Sequence, residues 1–353
     1  MKKILIYTSD HGFGHATRII ALSRNLFKTG RFEVVIKNSN AFNFIKSSLP
    51  NIRVERLQTD VGAHWNWNSN RIDVDKTFNN FYDWIKNEEA WISKETAYFK
   101  DNPADLILSD ISPMATRLSE KVHCSSITIG NFSWIDILKN MPFHEKKGEV
   151  LKWLMESFSI SQFAVKLPLS MSMEGFAKLK DASLLCRDTT STKKQTFEEL
   201  GLHSPPVVVY FGDQIPHQFK INKKHGTKIL TMLPGRLLLS GRQIKSGHIE
   251  GQNIIAASTL VITKVGYSTL SECVKYRCPL YLIPMRDYPE DVVLSRQVIE
   301  LGLARIIEQH ESKFLIDIPD EEQIKSMKYA IKEESIKSLE KRRNPLDIIH
   351  EVV

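Results

Sequence analysis

The feature that most constrains the fold is a strand, a glycine turn, a helix and a second strand at the start of the chain. Residues 3–8 (KILIYT) are a short apolar run of strand length, and residues 10–15 (DHGFGH) form a turn with two glycines. A helical spacing of apolar residues follows and ends at Gly30, before a second apolar run at Phe32–Lys37. Strands buried on both faces are apolar throughout, so the pattern predicts a βαβ unit in a parallel sheet.

The same alternation recurs along both halves of the chain. Residues 105–109 (DLILS) and 126–129 (SITI) are strand-like and flank a helical segment, and residues 207–211 (VVVYF) begin a second such series. Alternating strands and helices predict parallel sheets that are covered by helices on both faces. The length of 353 residues fits about two domains of roughly 100–200 residues each.

We therefore predict an α/β chain with two domains. The first covers residues 1–188, a polar segment at 189–204 is the linker, and the second covers residues 205–335. Residues 336–353 are predicted to form a helical tail that packs back on the first domain. The stretch at 65–99 is rich in aromatic residues, which fits either helices packed on the sheet or an aromatic wall for an acceptor.

Composition and charge exclude several classes of protein. Hydrophobic residues make up 42% and charged residues 25%, as in ordinary globular proteins, so a disordered or fibrous chain is excluded. The net charge of +7 is spread along the chain and favours an anionic ligand without indicating nucleic acid. Four scattered cysteines suit a reducing compartment. We expect a cytoplasmic protein, and peripheral contact with the inner face of a membrane stays open.

The glycine turn carries the first candidate site. Gly12 and Gly14 allow a sharp turn, and His15 starts the helix at the carboxyl edge of the predicted sheet, where ligands bind in such folds. Thr17 occupies the third glycine position of the motif G-x-G-x-x-G, so a dinucleotide cofactor is not indicated. His11 and His15 lack a third ligand, so no metal is predicted. His15 itself fits either a residue that faces a ligand at this edge or a simple helix cap.

A second candidate site lies in the C-terminal half. Residues 263–272 (TKVGYSTLSE) combine a strand end, a glycine and small hydroxyl residues at a predicted helix start, an arrangement that binds anions. Glu272 lies one turn inside that helix and can accept hydrogen bonds from a vicinal diol such as a ribose. The loop at residues 285–290 (MRDYPE) carries two carboxylates that suit sugar hydroxyls.

These segments carry a family resemblance. The chain resembles GT-B-fold glycosyltransferases in GFGHATR at 12–18, LILSD at 106–110, VVVYFG at 207–212, TKVGYSTLSE at 263–272 and RDYPED at 286–291. It is similar to the bacterial UDP-N-acetylglucosamine transferase of peptidoglycan lipid-intermediate synthesis, and looks closer still to the glycosyltransferase-like region of plant arabinokinases. The resemblance implies two Rossmann-like, doubly wound domains that face each other across a cleft.

The resemblance also implies an activity and its partners. It implies inverting transfer of a hexose or an N-acetylhexosamine from a nucleoside-diphosphate sugar, with UDP as the expected nucleotide, to a hydroxyl of a glycan, lipid or small molecule. The nucleotide sugar is a substrate, and no cofactor, metal or nucleic-acid partner is implied. Two alternatives stay open: an enzyme like UDP-N-acetylglucosamine 2-epimerase, which shares the two-domain architecture, and a nucleotide-sugar-binding protein without catalysis.

The resemblance assigns roles residue by residue. His15 matches the general base of the family, and Asp110 matches the aspartate that orients it. Gly212 matches a loop that faces the diphosphate, and Glu272 matches the glutamate that binds the ribose. The remaining assignments are the helix start at the diphosphate (Gly266, Ser268, Thr269), the cations that neutralise it (Lys264, Arg286), the carboxylates for the donor sugar (Asp287, Glu290) and the acceptor side of the cleft (Gly12, Gly14, Arg18).

The chain departs from the family pattern in several places. Only Gly212 remains of a glycine-rich loop, and the acidic Asp213 stands beside it. Residues 288–290 (YPE) replace the usual glutamine pair, so the identity of the donor stays open. Arg18 stands where many relatives have proline, and we expect it either to meet an anionic acceptor or to cap the helix.

Overall fold

The chain divides into two compact units in the structure, which is a computed structural model. The structure describes residues 1–66, 71–211, 219–222, 228–233, 236–244, 250–283, 287–307 and 314–353. The first unit comprises Met1–Cys186, Asp287–Glu290 and Leu339–Val353, and the second comprises Arg187–Arg286 and Asp291–Ser338. For comparison, the first domain was predicted to end at residue 188 and the tail to begin at residue 336.

The first unit alternates strands and helices along most of its length. Its strands are β1 (Lys2–Thr8), β2 (Phe32–Lys37), β3 (Arg53–Glu55), β4 (Trp65–Asn66), β5 (Arg71–Ile72), β6 (Leu106–Asp110), β7 (Ser126–Gly130), β8 (Ala164–Lys166) and β9 (Leu179–Asp181). Its helices up to residue 186 are α1 (Phe13–Lys28), α2 (Phe42–Ser48), α3 (Val74–Lys86), α4 (Glu88–Asp101), α5 (Pro113–Lys121), α6 (Trp134–Leu138) and α7 (Lys147–Ser159).

One parallel sheet forms the centre of the first unit, with the strand order β3-β2-β1-β6-β7-β8-β9. Ile4 of β1 lies opposite Val34 of β2 on one side and Leu106 of β6 on the other. All three side chains are buried, as expected for strands covered on both faces, so the α/β prediction is confirmed here. The strand order reverses between β1 and β6, and ligands bind at the carboxyl ends of strands at such a reversal.

The aromatic stretch at residues 65–99 forms helices that are packed on the core. Phe78 and Phe81 of α3 are fully buried, and Trp84 and Trp91 are nearly so. This favours the packing interpretation for α3 and α4. Trp65 of β4 is only half-buried and is considered with the site below.

The second unit also alternates strands and helices. Its strands are β10 (Val207–Tyr210), β11 (Phe219–Asn222), β12 (Ile229–Leu233), β13 (Arg236–Leu239), β14 (Arg242–Ile244), β15 (Leu260–Lys264), β16 (Leu280–Ile283), β17 (Ala304–Ile306) and β18 (Phe314–Asp317). The remaining helices are α8 (Lys193–Leu200), α9 (Gly251–Ala257), α10 (Tyr267–Tyr276), α11 (Pro289–Glu300), α12 (Glu321–Tyr329), α13 (Glu333–Glu340) and α14 (Pro345–His350), the last of which belongs to the first unit. Of the helices that the structure describes, none combines the length and apolarity needed to cross a membrane.

The main sheet of the second unit is mixed, with the order β14-β13-β12-β10-β15-β16-β17. The five neighbouring strands β12, β10, β15, β16 and β17 run parallel, as the alternation of strands and helices predicts. The pairs β12–β13 and β13–β14 are antiparallel, which the sequence did not reveal. A parallel crossover needs a dozen or more residues, and the connections between these three strands are far shorter.

The polar segment predicted as a linker at 189–204 contains helix α8. The hydroxyl of Thr192 accepts a hydrogen bond from the backbone N–H of Gln195, and the side-chain oxygen of Gln195 accepts one from the backbone N–H of Thr192. Gly201 ends the helix in the left-handed conformation, with φ at +65°. The polar composition of this segment therefore reflects the capping of a short helix.

Candidate functional site

The turn after β1 is shaped by a glycine and by the half-buried carboxylate of Asp10. Gly12 has φ at +84°, which residues with a Cβ rarely adopt, and a Cβ at this position would meet no atom within 4 Å. The carboxylate of Asp10 accepts hydrogen bonds from three backbone N–H groups of neighbouring loops. Helix α1 begins directly after Gly12, with exposed Gly14 as its second residue and His15, which is 5% exposed, as its third.

Strand β6 brings an aspartate to the same edge of the sheet. Asp110 is the last residue of β6, lies opposite Thr8 of β1 and is fully buried. Ile111 follows with φ at +51°, a strained conformation for a β-branched residue. Gly130 gives it room, because a Cβ there would lie 2.7 Å from Ile111 Cγ2. Strain of this kind typically costs about 1–3 kcal/mol and is concentrated at functional sites.

The imidazole of His15 lies beside a carboxylate and a guanidinium. Its Nδ1 is 3.3 Å from both oxygens of Asp110 and 2.7 Å from Arg18 Nη2. Arg18 Nε donates to Asp110 Oδ1 at 2.8 Å, and Arg18 Nη2 also pairs with that oxygen. Among the described residues, none forms a hydrogen bond with His15 Nε2, so this nitrogen is the one left for a ligand.

The surroundings of His15 favour a neutral imidazole at pH 7. Burial lowers the pKa of His15 below its ordinary value, and the Arg18 charge lowers it further, whereas the charges of Asp110 and Asp10 oppose the shift. A neutral imidazole can accept a proton, which is what a general base requires. Elements α1 and β6 thus bring together the two residues that the sequence assigned to catalysis.

Arg18 differs from both sequence expectations, which placed it against an anionic acceptor or at the helix cap. It is 2% exposed, and besides Asp110 it contacts Asn131, whose Oδ1 accepts from Arg18 Nη1 at 2.5 Å. The physical reason is that a fully buried carboxylate such as Asp110 is costly without a cation or several donors beside it.

Asn131 extends this cluster to a residue that was predicted to bind the donor sugar. Its Nδ2 donates to Glu290 Oε1 at 2.8 Å, and Glu290 is 9% exposed. Sequence reasoning missed Asn131. A signal was present, because Asn131 directly follows β7 just as Asp110 ends β6, and polar residues at neighbouring strand ends meet at one edge of a parallel sheet.

Aromatic rings lie around the same turn. His11 contacts Trp134 edge to face with ring centroids 5.0 Å apart, and its Nε2 is 3.3 Å from the hydroxyl of Tyr288. Half-buried Trp65 packs on Tyr288 at 5.3 Å. From the sequence, His11 was considered only as a metal ligand, and Trp134 was not singled out. Within the described ranges, no group of three His, Cys, Asp or Glu side chains is arranged to hold a metal ion.

A buried carboxyl group supports the turn. Asp60 is 1% exposed and accepts hydrogen bonds from the backbone N–H of Asp10 at 2.7 Å and from Trp134 Nε1 at 3.2 Å. Burial raises the pKa of Asp60 to about 8, and the neighbouring Asp10 charge acts in the same direction. Asp60 therefore carries its proton at neutral pH. No sequence motif surrounds it.

The predicted anion site of the second unit lies where β15 meets α10. Gly266 precedes the helix, and a Cβ at this glycine would meet no atom within 4 Å. Buried Ser268 and half-buried Thr269 lie in the first turn, and half-buried Lys264 ends β15. The backbone N–H groups of a helix start, a nearby cation and open space at the glycine are together suited to an anion.

Glu272 lies in the same helix but is 2% exposed. Both of its oxygens accept from one guanidinium: Arg187 Nε donates to Oε1 at 2.8 Å, and Arg187 Nη2 lies 3.4 Å from Oε2. Burial raises the pKa of Glu272, and the charge of Arg187 opposes that shift. The sequence predicted a ribose ligand here and missed Arg187, which has no motif around it and lies 85 residues away along the chain.

Three further predicted residues complete the set. Gly212 and Arg286 lie outside the residues that the structure describes. Asp287 is exposed, and its carboxylate lies 3.5 Å from the guanidinium of exposed Arg71. A surface pair of this kind stabilises a fold by about 0–1 kcal/mol.

Comparison with curated proteins supports the resemblance to plant arabinokinases. The chain is 26% identical over 309 residues to the L-arabinokinase of Arabidopsis thaliana. The match covers 83% of this chain and 29% of that protein, so the chain spans less than a third of its relative. A search of protein-family models finds no match.

Solved glycosyltransferases share the fold over the whole chain. The spinosyn rhamnosyltransferase SpnG has a TM-score of 0.65 at 9% identity, covering 100% of this chain and 99% of that one. SsfS6 from Streptomyces sp. SF2575 has a TM-score of 0.61 at 13% identity, with 100% and 99% covered. UGT89C1 of Arabidopsis thaliana, solved with UDP-L-rhamnose, has a TM-score of 0.60 at 12% identity, with 99% and 98% covered. The chain thus has the GT-B fold that the resemblance implied.

Proposed function

We propose that the chain is an inverting glycosyltransferase that moves a sugar from a nucleoside-diphosphate sugar to an acceptor hydroxyl. The observation that carries the proposal is the environment of His15. Its buried imidazole has a lowered pKa, lies beside the carboxylate of Asp110 and stands where the strand order of a parallel sheet reverses. The GT-B fold adds support from the whole chain.

In the proposed reaction, His15 Nε2 accepts the proton of the acceptor hydroxyl. The hydroxyl oxygen bonds to the anomeric carbon from the face opposite the leaving group, and the bond from that carbon to the diphosphate oxygen breaks. The nucleoside diphosphate leaves with the electron pair, so the anomeric centre inverts. Asp110 accepts a hydrogen bond from Nδ1–H of the imidazolium and stabilises its charge. A positioned base of this kind contributes typically ~10²–10⁴-fold to the rate.

The helix start at Gly266 is proposed to bind the diphosphate. The N–H groups of α10 and the charge of Lys264 would stabilise the negative charge that develops on the leaving group. Ser268 and Thr269 would donate to phosphate oxygens. We assign Arg286 to the same charge neutralisation and Gly212 to the neighbouring loop, and we assign no metal ion to the reaction.

Carboxylates are proposed to bind the hydroxyls of the donor. We assign Asp287 and Glu290 to the sugar and Glu272 to the ribose. Arg187 is compatible with the last assignment, because each carboxylate oxygen has two lone pairs and can accept a second hydrogen bond.

UDP is the proposed nucleotide, and a small molecule is the favoured acceptor. UGT89C1 has been solved with UDP and with UDP-L-rhamnose, and SpnG has been solved with the spinosyn aglycone. The half-buried rings of His11 and Trp65, which both contact the buried ring of Tyr288, offer apolar surface on which an acceptor can pack. We place the reaction in the cytoplasm, with a glycan or lipid as the other acceptor classes.

A nucleotide-sugar-binding protein without catalysis is the second candidate. The observation that favours it is the departure at Gly212, where a single glycine of the family's glycine-rich loop remains and the acidic Asp213 stands beside it. Binding without turnover would separate this candidate from an enzyme.

The proposed function is tested with a panel of UDP, dTDP and GDP sugars. The cognate donor should raise the melting temperature, since a ligand at 100 times its Kd stabilises the folded state by about 2.7 kcal/mol. With an acceptor library, release of free UDP supports transfer. Recovery of an intact but isomerised nucleotide sugar would indicate an epimerase, and tight binding with no turnover would indicate the non-catalytic candidate.

A further inference from the structure

One nitrogen of His15 is contacted by two groups with opposite requirements. Nδ1 lies 2.7 Å from Arg18 Nη2 and 3.3 Å from both oxygens of Asp110. A guanidinium only donates hydrogen bonds, and an ionised carboxylate only accepts them. Nδ1 must therefore either accept a hydrogen bond from Arg18 through its lone pair or donate one to Asp110 through an N–H. It cannot do both.

The distances favour Arg18. An N–H···N contact of 2.7 Å is short for a hydrogen bond of this kind, whereas 3.3 Å lies beyond the usual range of about 2.7–3.2 Å for N–H···O. Further contacts hold the guanidinium in place, because Nε and Nη2 both pair with Asp110 Oδ1 and Nη1 donates to Asn131. A neutral His15 in this structure accordingly carries its proton on Nε2.

This tautomer is not yet a base for an incoming hydroxyl, since Nε2 must have a free lone pair to accept a proton. We propose that Arg18 is a positioning residue that holds unliganded His15 in the Nε2–H tautomer. His15 becomes the base only when the hydrogen-bond partner of Nδ1 changes from Arg18 to Asp110. The catalytic consequence rests on the proposed function, whereas the tautomer itself does not.

The change of tautomer balances without a further reactant. Nδ1 gains a proton from water, which gives the imidazolium, and Arg18 releases this nitrogen. Asp110 accepts the new Nδ1–H, and Nε2 returns its proton to water. Arg18 keeps its Nε contact with Asp110 throughout, so the buried carboxylate does not lose its cation.

Within the part of the chain that the structure describes, four charged or titratable groups face His15. Arg18 comes from α1, Asp110 from β6, and Asp10 and His11 come from the turn before α1. Of these, Arg18 is the group whose replacement changes both the charge beside Nδ1 and its hydrogen-bond donor. Replacement by methionine should therefore invert the tautomer and raise the pKa of His15.

The test is ¹⁵N NMR of the full chain with labelled histidine, in which the His15 signals are identified by their loss in His15→Gln. In unliganded wild type we expect a protonated Nε2 and an unprotonated Nδ1. In Arg18→Met we expect the ratio of tautomers to shift roughly tenfold or more toward Nδ1–H, since a hydrogen bond from a charged donor is lost. Arg18→Lys should restore part of the lowered pKa, because it restores the charge.

Arg24→Met is the matched control. Arg24 lies on the same helix and is half-buried, with its guanidinium donating to the carbonyl of Ser48, away from His15. This variant should leave both the tautomer and the pKa of His15 unchanged.

The proposal is overturned if wild-type His15 already carries its proton on Nδ1, or if Arg18→Met leaves the tautomer unaltered. If Arg18→Met does not fold, the wild-type spectrum and Arg18→Lys decide the matter. If the protein transfers sugar but its unliganded His15 carries the proton on Nδ1, only the proposed role of Arg18 is refuted. A protein with the expected tautomer that releases no UDP would refute the proposed function and leave the tautomer assignment intact.

Discussion

Two buried polar clusters of the first unit contain the same kinds of group but differ in chemistry. In the Glu95 cluster, Glu95 Oε2 accepts from the hydroxyl of Tyr7 at 2.8 Å and from Lys37 Nζ at 2.6 Å. In the His15 cluster, Asp110 pairs with Arg18 and lies beside the imidazole of His15. Each cluster thus has a carboxylate, a cation and one group with an exchangeable proton.

The difference lies in that proton. Burial and the Glu95 charge raise the pKa of Tyr7 well above its ordinary value, so its hydroxyl keeps its proton at any physiological pH. His15 has a pKa below its ordinary value and lies in the first turn of α1, directly after the glycine turn at Gly12. The Glu95 cluster is therefore suited to hold elements together, whereas the His15 cluster can exchange a proton.

The largest expected effect separates the two clusters by activity. His15→Gln should lower the rate of UDP release from the cognate donor by ~10²–10⁴-fold, because the general base is lost. Tyr7→Phe removes a hydroxyl from the Glu95 cluster and should leave the rate per folded molecule unchanged. Near-full activity of His15→Gln would remove the assignment.

The next-largest expected effect is on stability, and it tests whether the Glu95 cluster holds elements together. Lys37→Met leaves the buried Glu95 carboxylate without its cation and should lower the free energy of unfolding by about 3–5 kcal/mol, as measured by urea denaturation. The double variant Lys37→Met/Glu95→Leu should recover a large part of this loss, because no buried charge of the pair is left unpaired. A loss below about 1 kcal/mol in the single variant would show that the pair does not hold the fold together.

A smaller effect is expected on the pH dependence of the free energy of unfolding, to which Asp60 contributes. Its pKa of about 8 in the folded state exceeds the unfolded value of about 3.9, so between these values the folded state binds the extra proton and the free energy of unfolding falls as pH rises. The slope approaches ~1.4 kcal/mol per pH unit well below the folded pKa and falls to about half of that where pH equals the folded pKa. The measurement window is pH 7 to 8, where His15 is mostly neutral in both states, because its lowered folded pKa and the unfolded value of about 6.5 both lie below it.

Asp60→Asn should flatten this slope, because the amide cannot lose a proton but keeps an acceptor for the Asp10 N–H. Urea denaturation at pH 7.0, 7.5 and 8.0 measures it, and Asp83→Asn, on the exposed face of α3, is the control. Equal slopes in wild type and Asp60→Asn would contradict the raised pKa.

The smallest effect is expected at the other end of β1. Lys2 pairs with Asp105 at 2.9 Å, with both side chains exposed to solvent. Lys2→Ala should change the free energy of unfolding by at most ~1 kcal/mol, and less at high salt, because water and ions screen exposed charges. A loss as large as that of Lys37→Met would show that exposure to solvent does not separate the Lys2–Asp105 pair from the Lys37–Glu95 pair.

Much of the fold could be predicted from local patterns in the sequence. The apolar runs at β1, β6 and β10 and the helical spacing after Gly12 depend on neighbours a few residues apart. His15 was singled out because it starts a helix at the carboxyl edge of a predicted parallel sheet, where ligands bind, whereas Asp110 was assigned through the family resemblance. The antiparallel β12-β13-β14 edge was missed, since short strands give no signal of their direction.

Partners of buried charges could not be predicted in this way. Arg18 pairs with Asp110 across 92 residues of sequence, and Arg187 pairs with Glu272 across 85. Any arginine in the chain has the charge to satisfy a buried carboxylate. Which one does so depends on the packing of distant elements.

The sequence by itself determined the alternation of strands and helices, the two glycine-led helix starts and the presence of a histidine at the first of them, because these follow from periodicity and backbone preference. The tertiary structure alone decided that Arg18 lies inside the first unit with its guanidinium on His15 Nδ1, and that Arg187 holds Glu272. The reason is that the protonation and hydrogen bonding of a buried group depend on its desolvation and on the charges within a few ångströms, and those are set by residues far away in the chain.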